Sequence, residues 1–211
     1  LSPKGGSVKI KIDFSFIAPL EGSDRMGVLE TKNGKIFTIA QWYPRMCVYD
    51  DIRGWNTNPY LGASEFYLEY GEFDVSITAP SNHIVVASGE LLNPTAVYST
   101  VEQKRLAQAK LSDKTVFIRT AAEVENSAKT AATTTKTWNY KIKNSRDFSW
   151  SSSASFILDA AKINLPTGKK SLAISAYPIE SAGDAAWGRS TEYTKASIEH
   201  YSKKWLEYPY P

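Results

Sequence analysis

The sequence predicts a mainly β protein, an antiparallel β sandwich or large curved sheet, followed by a C-terminal amphipathic helix. Three observations carry this. Short stretches alternate apolar and polar residues with the period of a half-buried strand, most clearly Val8, Ile10, Ile12, Phe14 and Phe16 among Lys9, Lys11, Asp13 and Ser15. Turn formers such as Asn33-Gly34, Pro80, Gly89, Pro94, Pro166 and Gly168 separate these stretches. No strand–helix–strand rhythm and no internal repeat is present, which argues against a doubly wound sheet.

Taken in order, Val8 to Phe16 is the first expected strand. Residues 19–34 read as loop, and Asn33-Gly34 before the apolar run from Phe37 makes a hairpin plausible. Phe37 and Ile39 alternate with Thr38 and Ala40 in a strand that reaches Gln41 and Trp42 before Pro44. Glu65 to Tyr70 and Phe73 to Ala79 are further strands, the latter with Phe73, Val75, Ile77 and Ala79 on one face. Ile84 to Ala87 fits a fully buried strand. Residues 100–111 are rich in helix formers, so a short helix or an irregular excursion is expected there. Val116 to Arg119 is a strand. Residues 121–137 read as a mobile loop with one helical turn after Thr120. Trp138, Tyr140 and Ile142 alternate in another strand, and Phe156 to Leu158 and Leu172 to Tyr177 complete the set. About eight to ten short strands with turn signals between them give the sandwich or curved sheet.

The last segment has a different period. Thr194, Ile198, Tyr201 and Trp205 fall on one face of an α-helix from Thr191 to Leu206. Ser190 or Thr191 is the expected cap. Glu192 with Lys195, and Glu199 with Lys203, are the expected exposed pairs, and Lys203 and Lys204 suit the C-terminal dipole. An aromatic helix face after an all-β segment needs a surface to cover it. The helix therefore reads as the first of a following domain, with a boundary near Tyr177 to Trp187.

The totals exclude several classes. Of 211 residues, 42% are hydrophobic and 12% aromatic, the composition of a globular domain. A net charge of +3 from 25 basic and 22 acidic residues is too balanced to imply a nucleic-acid or anionic-membrane partner. No apolar run approaches the ~20 residues of a membrane helix. Cys47 is alone, so no intrachain disulfide or thiolate cluster is expected, and it reads as a buried inert thiol rather than a nucleophile. The start at Leu1, without a leader, and the stop at Pro211 straight after a helix read as a piece of a longer chain.

The chain's most unusual stretch is Phe37 to Leu61. Tyr43, Tyr49, Trp55 and Tyr60 sit there among Pro44, Gly54, Asn56, Asn58 and Pro59. Its aromatic surface either folds back on a core or faces a ligand or neighbouring domain. Trp42, Trp55, Tyr43 and Tyr60 suit a sugar-stacking platform, against which stands simple packing onto the sheet. A helical zinc site needs two His four residues apart. The two present, His83 and His200, lie in strand-like sequence and on the last helix, where residue 204 is Lys. No metal site is therefore expected within the chain, and each His reads as a surface or boundary residue. Gly62-Ala63-Ser64 lacks the second glycine of a nucleophile elbow. Asp50 and Asp51 point apart in extended chain and read as turn caps. Glu65, Glu69 and Glu72 read as solvated strand faces.

The words FTIAQWYPRM, YDDIRGWNT and EFYLEYGEFDVSITAP, with SRDFSW (Ser145 to Trp150) and the helix before YPYP (Tyr208 to Pro211), resemble the N-terminal domain of the M1 family of zinc aminopeptidases. The match is closest to a bacterial branch with an expanded aromatic loop. The resemblance implies a β-rich domain over residues 1–180, incomplete at its start, and the first helix of an α/β catalytic domain over residues 181–211. It implies no catalytic residue in this chain. Zinc, the H-E-x-x-H ligands, the distal Glu and the G-x-M-E-N exopeptidase motif are all expected in the part that follows. In the F-T-x-x-Q pattern, Gln41 corresponds to the residue that binds the substrate's N-terminal amine. The implied partners are a peptide substrate, reached through the full-length protein, and the chain's own catalytic domain. The implied location is extracytoplasmic, in the periplasm. Family members often continue Pro-Cys-x-Asp; here Arg45 and Met46 separate Pro44 from Cys47, and Asp50 and Asp51 follow, which changes the shape of the cleft. The alternative from another class is a stand-alone β-sandwich module that binds a glycan or protein through loop 42–60.

Overall fold

The computed structural model describes residues 5–20, 24–59 and 67–210. In chain order its strands and helices are β1 (Met26–Thr31), β2 (Gly34–Ile39), β3 (Tyr49–Asp50), β4 (Gly54–Trp55), β5 (Gly71–Pro80), β6 (Ile84–Ala87), β7 (Glu90–Leu91), α1 (Pro94–Val97), α2 (Thr100–Ala109), β8 (Val116–Arg119), α3 (Ala121–Ala128), β9 (Thr135–Ser145), β10 (Trp150–Ser153), β11 (Ile157–Asn164), β12 (Lys170–Tyr177) and α4 (Ser190–Lys204). The protein is mainly β, and every strand pairing is antiparallel. The sheets run β1-β2-β10-β6, β5-β9-β7 and β12-β11-β8, with β3-β4 as a small separate ribbon.

One core joins the three larger sheets. Ile36 comes from β2, Val85 from β6, Ile77 from β5, Trp138 and Tyr140 from β9, and Leu158 from β11. Trp138, Phe148, Leu158 and Val85 have no exposed surface. The expected face of β5 is the one turned inward, with Ile77 and Ala79 buried and Phe73 and Val75 packed at the core margin. The Tyr140 hydroxyl donates to Val85 O at 2.8 Å, which ties β9 to β6 across the core.

Several expectations are corrected. Val8 to Phe16 is extended but forms no ladder among the described residues, and its apolar side chains are 45–64% exposed. Alternation gives a strand only when a partner takes up its backbone groups. The segment touches the body through Phe14, whose ring lies 6.2 Å from that of Trp42. Within the stretch read as loop, Met26–Thr31 is a strand. Pairing with β2, Met26 opposite Ile39, supplies what its Gly27 obscures in the pattern. The hairpin itself stands, turning at Lys32-Asn33. β2 stops at Ile39, short of Gln41. Tyr67 to Tyr70 is not a strand, and Glu65 and Phe66 lie outside the described residues. After Thr120 comes a helix of 8 residues rather than a single turn. Thr120 and Glu123 close a reciprocal capping box there, and Ser99 and Glu102 do the same for α2.

Helix α4 packs on β11 and β12 by an unexpected face. Thr191 and Ser202 are buried and Ile198 half-buried, whereas Tyr201 and Trp205 are 52% and 68% exposed and stack on each other at 5.2 Å. The surface beneath is mixed: Ile198 packs on Ile163, Leu165 and Ala173, and polar groups flank that contact. Thr191 donates to Asp159 Oδ1 at 2.5 Å, Lys195 to Lys162 O at 2.8 Å, and Asn164 N to Glu199 Oε1 at 2.6 Å. The residue at the cap position is Arg189, which makes no side-chain capping bond. The ion pairs are Arg189 with Glu192 and Lys195 with both Glu199 and Asp113, in place of those expected.

Candidate functional site

Gln41 sits two residues beyond β2, half-buried, with its backbone in the left-handed region at φ 54°. Asn144 is the other non-glycine in that region among the described residues. A residue with a Cβ pays roughly 1–2 kcal/mol for this conformation. No described residue hydrogen-bonds the Gln41 side-chain amide. On its N-terminal side, Ala40 N donates to Arg25 O at 3.1 Å.

The residues on its C-terminal side are held by the turn between β9 and β10. Trp42 Nε1 donates to Phe148 O at 3.2 Å, and its ring meets Trp150 edge-on at 6.3 Å. The Tyr43 hydroxyl donates to Asp147 Oδ1 at 3.2 Å and its ring meets Phe73 edge-on at 5.9 Å. Arg45 Nη2 donates to Asp147 Oδ2 at 2.9 Å, while its guanidinium lies over the Tyr43 ring at 5.1 Å. Burial, with the Asp147 carboxylate beside it, pushes the Tyr43 phenol up to about 12.

The aromatic loop therefore divides. Trp42 and Tyr43 pack inward. Tyr49 and Trp55 stay 66% and 56% exposed, meeting edge-on at 5.2 Å across the β3–β4 ribbon. Tyr60 lies outside the described residues. Asp50 shapes the ribbon, accepting from Ile52 N at 3.1 Å, Arg53 N at 2.7 Å and Asn56 Nδ2 at 2.9 Å, so its turn-capping role stands. The Arg53 and Asn56 bonds lead in holding its carboxyl below the usual range. Cys47, expected to be buried, is exposed.

The two histidines are apart in role. His83 is half-buried, with Nδ1 at 2.9 Å from Ser152 Oγ, and burial holds its pKa below the ordinary value. His200 is exposed on α4 beside Tyr201. Among the described residues no three His, Cys, Asp or Glu side chains gather as a metal-binding group. No described helix is long and apolar enough to cross a membrane. An open cleft of about 540 Å³ lies between Tyr70, Glu90, Lys141 and Tyr210, and Gln41 does not line it.

Sequence reasoning missed Asp147 as the residue that ties this loop down. Its signal is faint: a single acid in a turn, whose partners Tyr43 and Arg45 lie about a hundred residues away. A scan against protein-family models, a search of curated proteins and a search of solved structures each find no match to this chain.

Proposed function

We propose that the chain is the non-catalytic, substrate-side β domain of a zinc aminopeptidase of the M1 type, with the first helix of its catalytic domain. In this reading Gln41 accepts a hydrogen bond from the N-terminal ammonium of a peptide substrate. The observation that carries it is the Gln41 conformation. A strained backbone whose side-chain amide has no partner among the described residues, between two anchored flanks, is a pattern of functional positions. An amide oxygen suits an ammonium donor and costs less to bury than a carboxylate. The sandwich architecture belongs to the same reading, supported by the core that three antiparallel sheets share.

The described residues do not fit a zinc ion: His83 is engaged with Ser152 and His200 stands alone on a helix surface. Zinc therefore belongs, in this reading, to the catalytic domain that follows. The test is Gln41→Ala in the polypeptide that carries that domain. A lost hydrogen bond to a charged group of ~1.5–3 kcal/mol predicts a fall in kcat/KM of roughly 10- to 150-fold. Unchanged kinetics on several peptides would remove Gln41 from the site.

The exposed Tyr49–Trp55 pair favours a second reading, a glycan-binding module. It predicts a saturable shift in tryptophan fluorescence on titration with oligosaccharides, abolished by Trp55→Ala. No shift with any oligosaccharide sets this reading aside.

A further inference from the structure

We propose that Asp147 is the positioning residue of the Gln41 site, clamping residues 42–45 to the β9–β10 turn and so fixing the Gln41 backbone. The inference rests on the reading of Gln41 as the acceptor for a peptide amine.

The geometry is a fork. Asp147 Oδ1 accepts from the Tyr43 hydroxyl at 3.2 Å and from Phe148 N at 2.7 Å, and Oδ2 accepts from Arg45 Nη2 at 2.9 Å. The turn that presents the carboxylate is itself tied, since Ser145 Oγ donates to Asp147 O at 2.7 Å. The next residue, Phe148, has no exposed surface, so the turn is plugged into the core while its carbonyl holds the Trp42 indole. A left-handed residue with a side chain persists only where its surroundings over-determine it. For Gln41 the Arg25 carbonyl secures one side and the Asp147 fork the other. The charge-assisted bond from Arg45 is the strongest part of that fork. An amide in place of the carboxylate keeps the shape but loses the ion pair.

The test uses the full chain, isotope-labelled, as wild type, Asp147→Asn, Asp147→Glu and Arg45→Lys. Two readouts are followed by NMR: the Tyr43 ring titration, and the Gln41 backbone and side-chain amide signals during addition of trialanine or N-acetyl-trialanine. In Asp147→Asn, Tyr43 is expected to titrate below about 12, nearer its ordinary 10. The Gln41 backbone shifts should leave left-handed values, and the response to trialanine should weaken roughly fivefold or more, the worth of about one hydrogen bond. Asp147→Glu restores part of each effect. Arg45→Lys keeps the charge but not the guanidinium geometry, so it should move the Gln41 signals less than Asp147→Asn and leave Tyr43 unchanged or raised, since Arg45 acts to lower the Tyr43 value; its Gln41 signals serve if Asp147→Asn does not fold. If the variants leave both Tyr43 titration and Gln41 shifts as in the wild type, the clamp is overturned. If wild-type Gln41 responds equally to acetylated and free trialanine, the amine-binding reading fails, while the clamp is still judged by Tyr43 and the backbone shifts.

Discussion

Thr191→Val asks whether the polar seat of α4 holds the helix as the geometry says. Thr191 and Asp159 are each 1% exposed, and the Thr191 hydroxyl donates to Asp159 Oδ1 at 2.5 Å. The other side-chain donor to this carboxyl is the Tyr177 hydroxyl. Valine keeps the volume, so no cavity opens, and the loss is that of the hydrogen bond to a buried acid, the larger part, together with the 2.7 Å contact to Ser175 Oγ. That is worth about 2 kcal/mol, within the ~1.5–3 kcal/mol of bonds to charged groups. For a chain of this size it lowers Tm by roughly 4–8 °C. Urea unfolding at pH 7 should show a reduced midpoint with an unchanged slope. The pH dependence follows from the direction of the Asp159 shift. Burial raises its pKa above the ordinary 3.8, against the lowering by its Thr191 and Tyr177 bonds. A raised acid contributes stability that is fully present below 3.8 and lost as pH rises through the folded value. Removing the Thr191 donor raises that value further. The gap between variant and wild type therefore widens as pH rises from 3.8 through the folded pKa. A gap under about 0.5 kcal/mol at pH 7, or one that grows toward acid, would refute this account.

Two other substitutions probe the backbone. At Gly89, φ is 85° and an added Cβ would lie 2.3 Å from Lys141 O, so Gly89→Ala should disturb the β7–β9 pairing and cost more than the ~1–3 kcal/mol of backbone strain alone. A denaturation midpoint equal to wild type would contradict the close approach. Gln41→Gly should be neutral or stabilising by up to about 1 kcal/mol, because relief of strain offsets the added freedom of the unfolded chain. Clear destabilisation, in the same urea assay, would mean that the side chain serves the fold rather than a ligand.

Much of the sheet was legible because β5 and β9 carry the period of 2 on buried residues and β6 is the continuous apolar run of a fully buried strand; β8 also lies where it was expected, at Val116–Arg119. Val8 to Phe16 shows the limit, since a pattern records a face but not whether a partner is present. α3 was hidden by the Ala and Thr that read as loop, although Thr120 and Glu123 spelled its capping box. In α4 the apolar stripe held only at Ile198, which packs on Ile163, Leu165 and Ala173; the rest of the seat is Asp159, Ser175 and Asn164. Pairing a helix with a partly polar seat is a tertiary choice that periodicity cannot see. At the candidate site, the F-T-x-x-Q pattern singled out Gln41. Its left-handed backbone and the Asp147 fork depend on contacts between residues about a hundred positions apart, which leave no local mark.

The most direct test of the central claim is to determine the coding sequence for about two hundred codons beyond Pro211. The account predicts a G-x-M-E motif, then H-E-x-x-H, then a distal Glu, the donor set of a three-ligand catalytic zinc with its general base. A stop codon, or a continuation without those ligands, would contradict it and leave the exposed Tyr49–Trp55 pair as the better guide to what this protein binds.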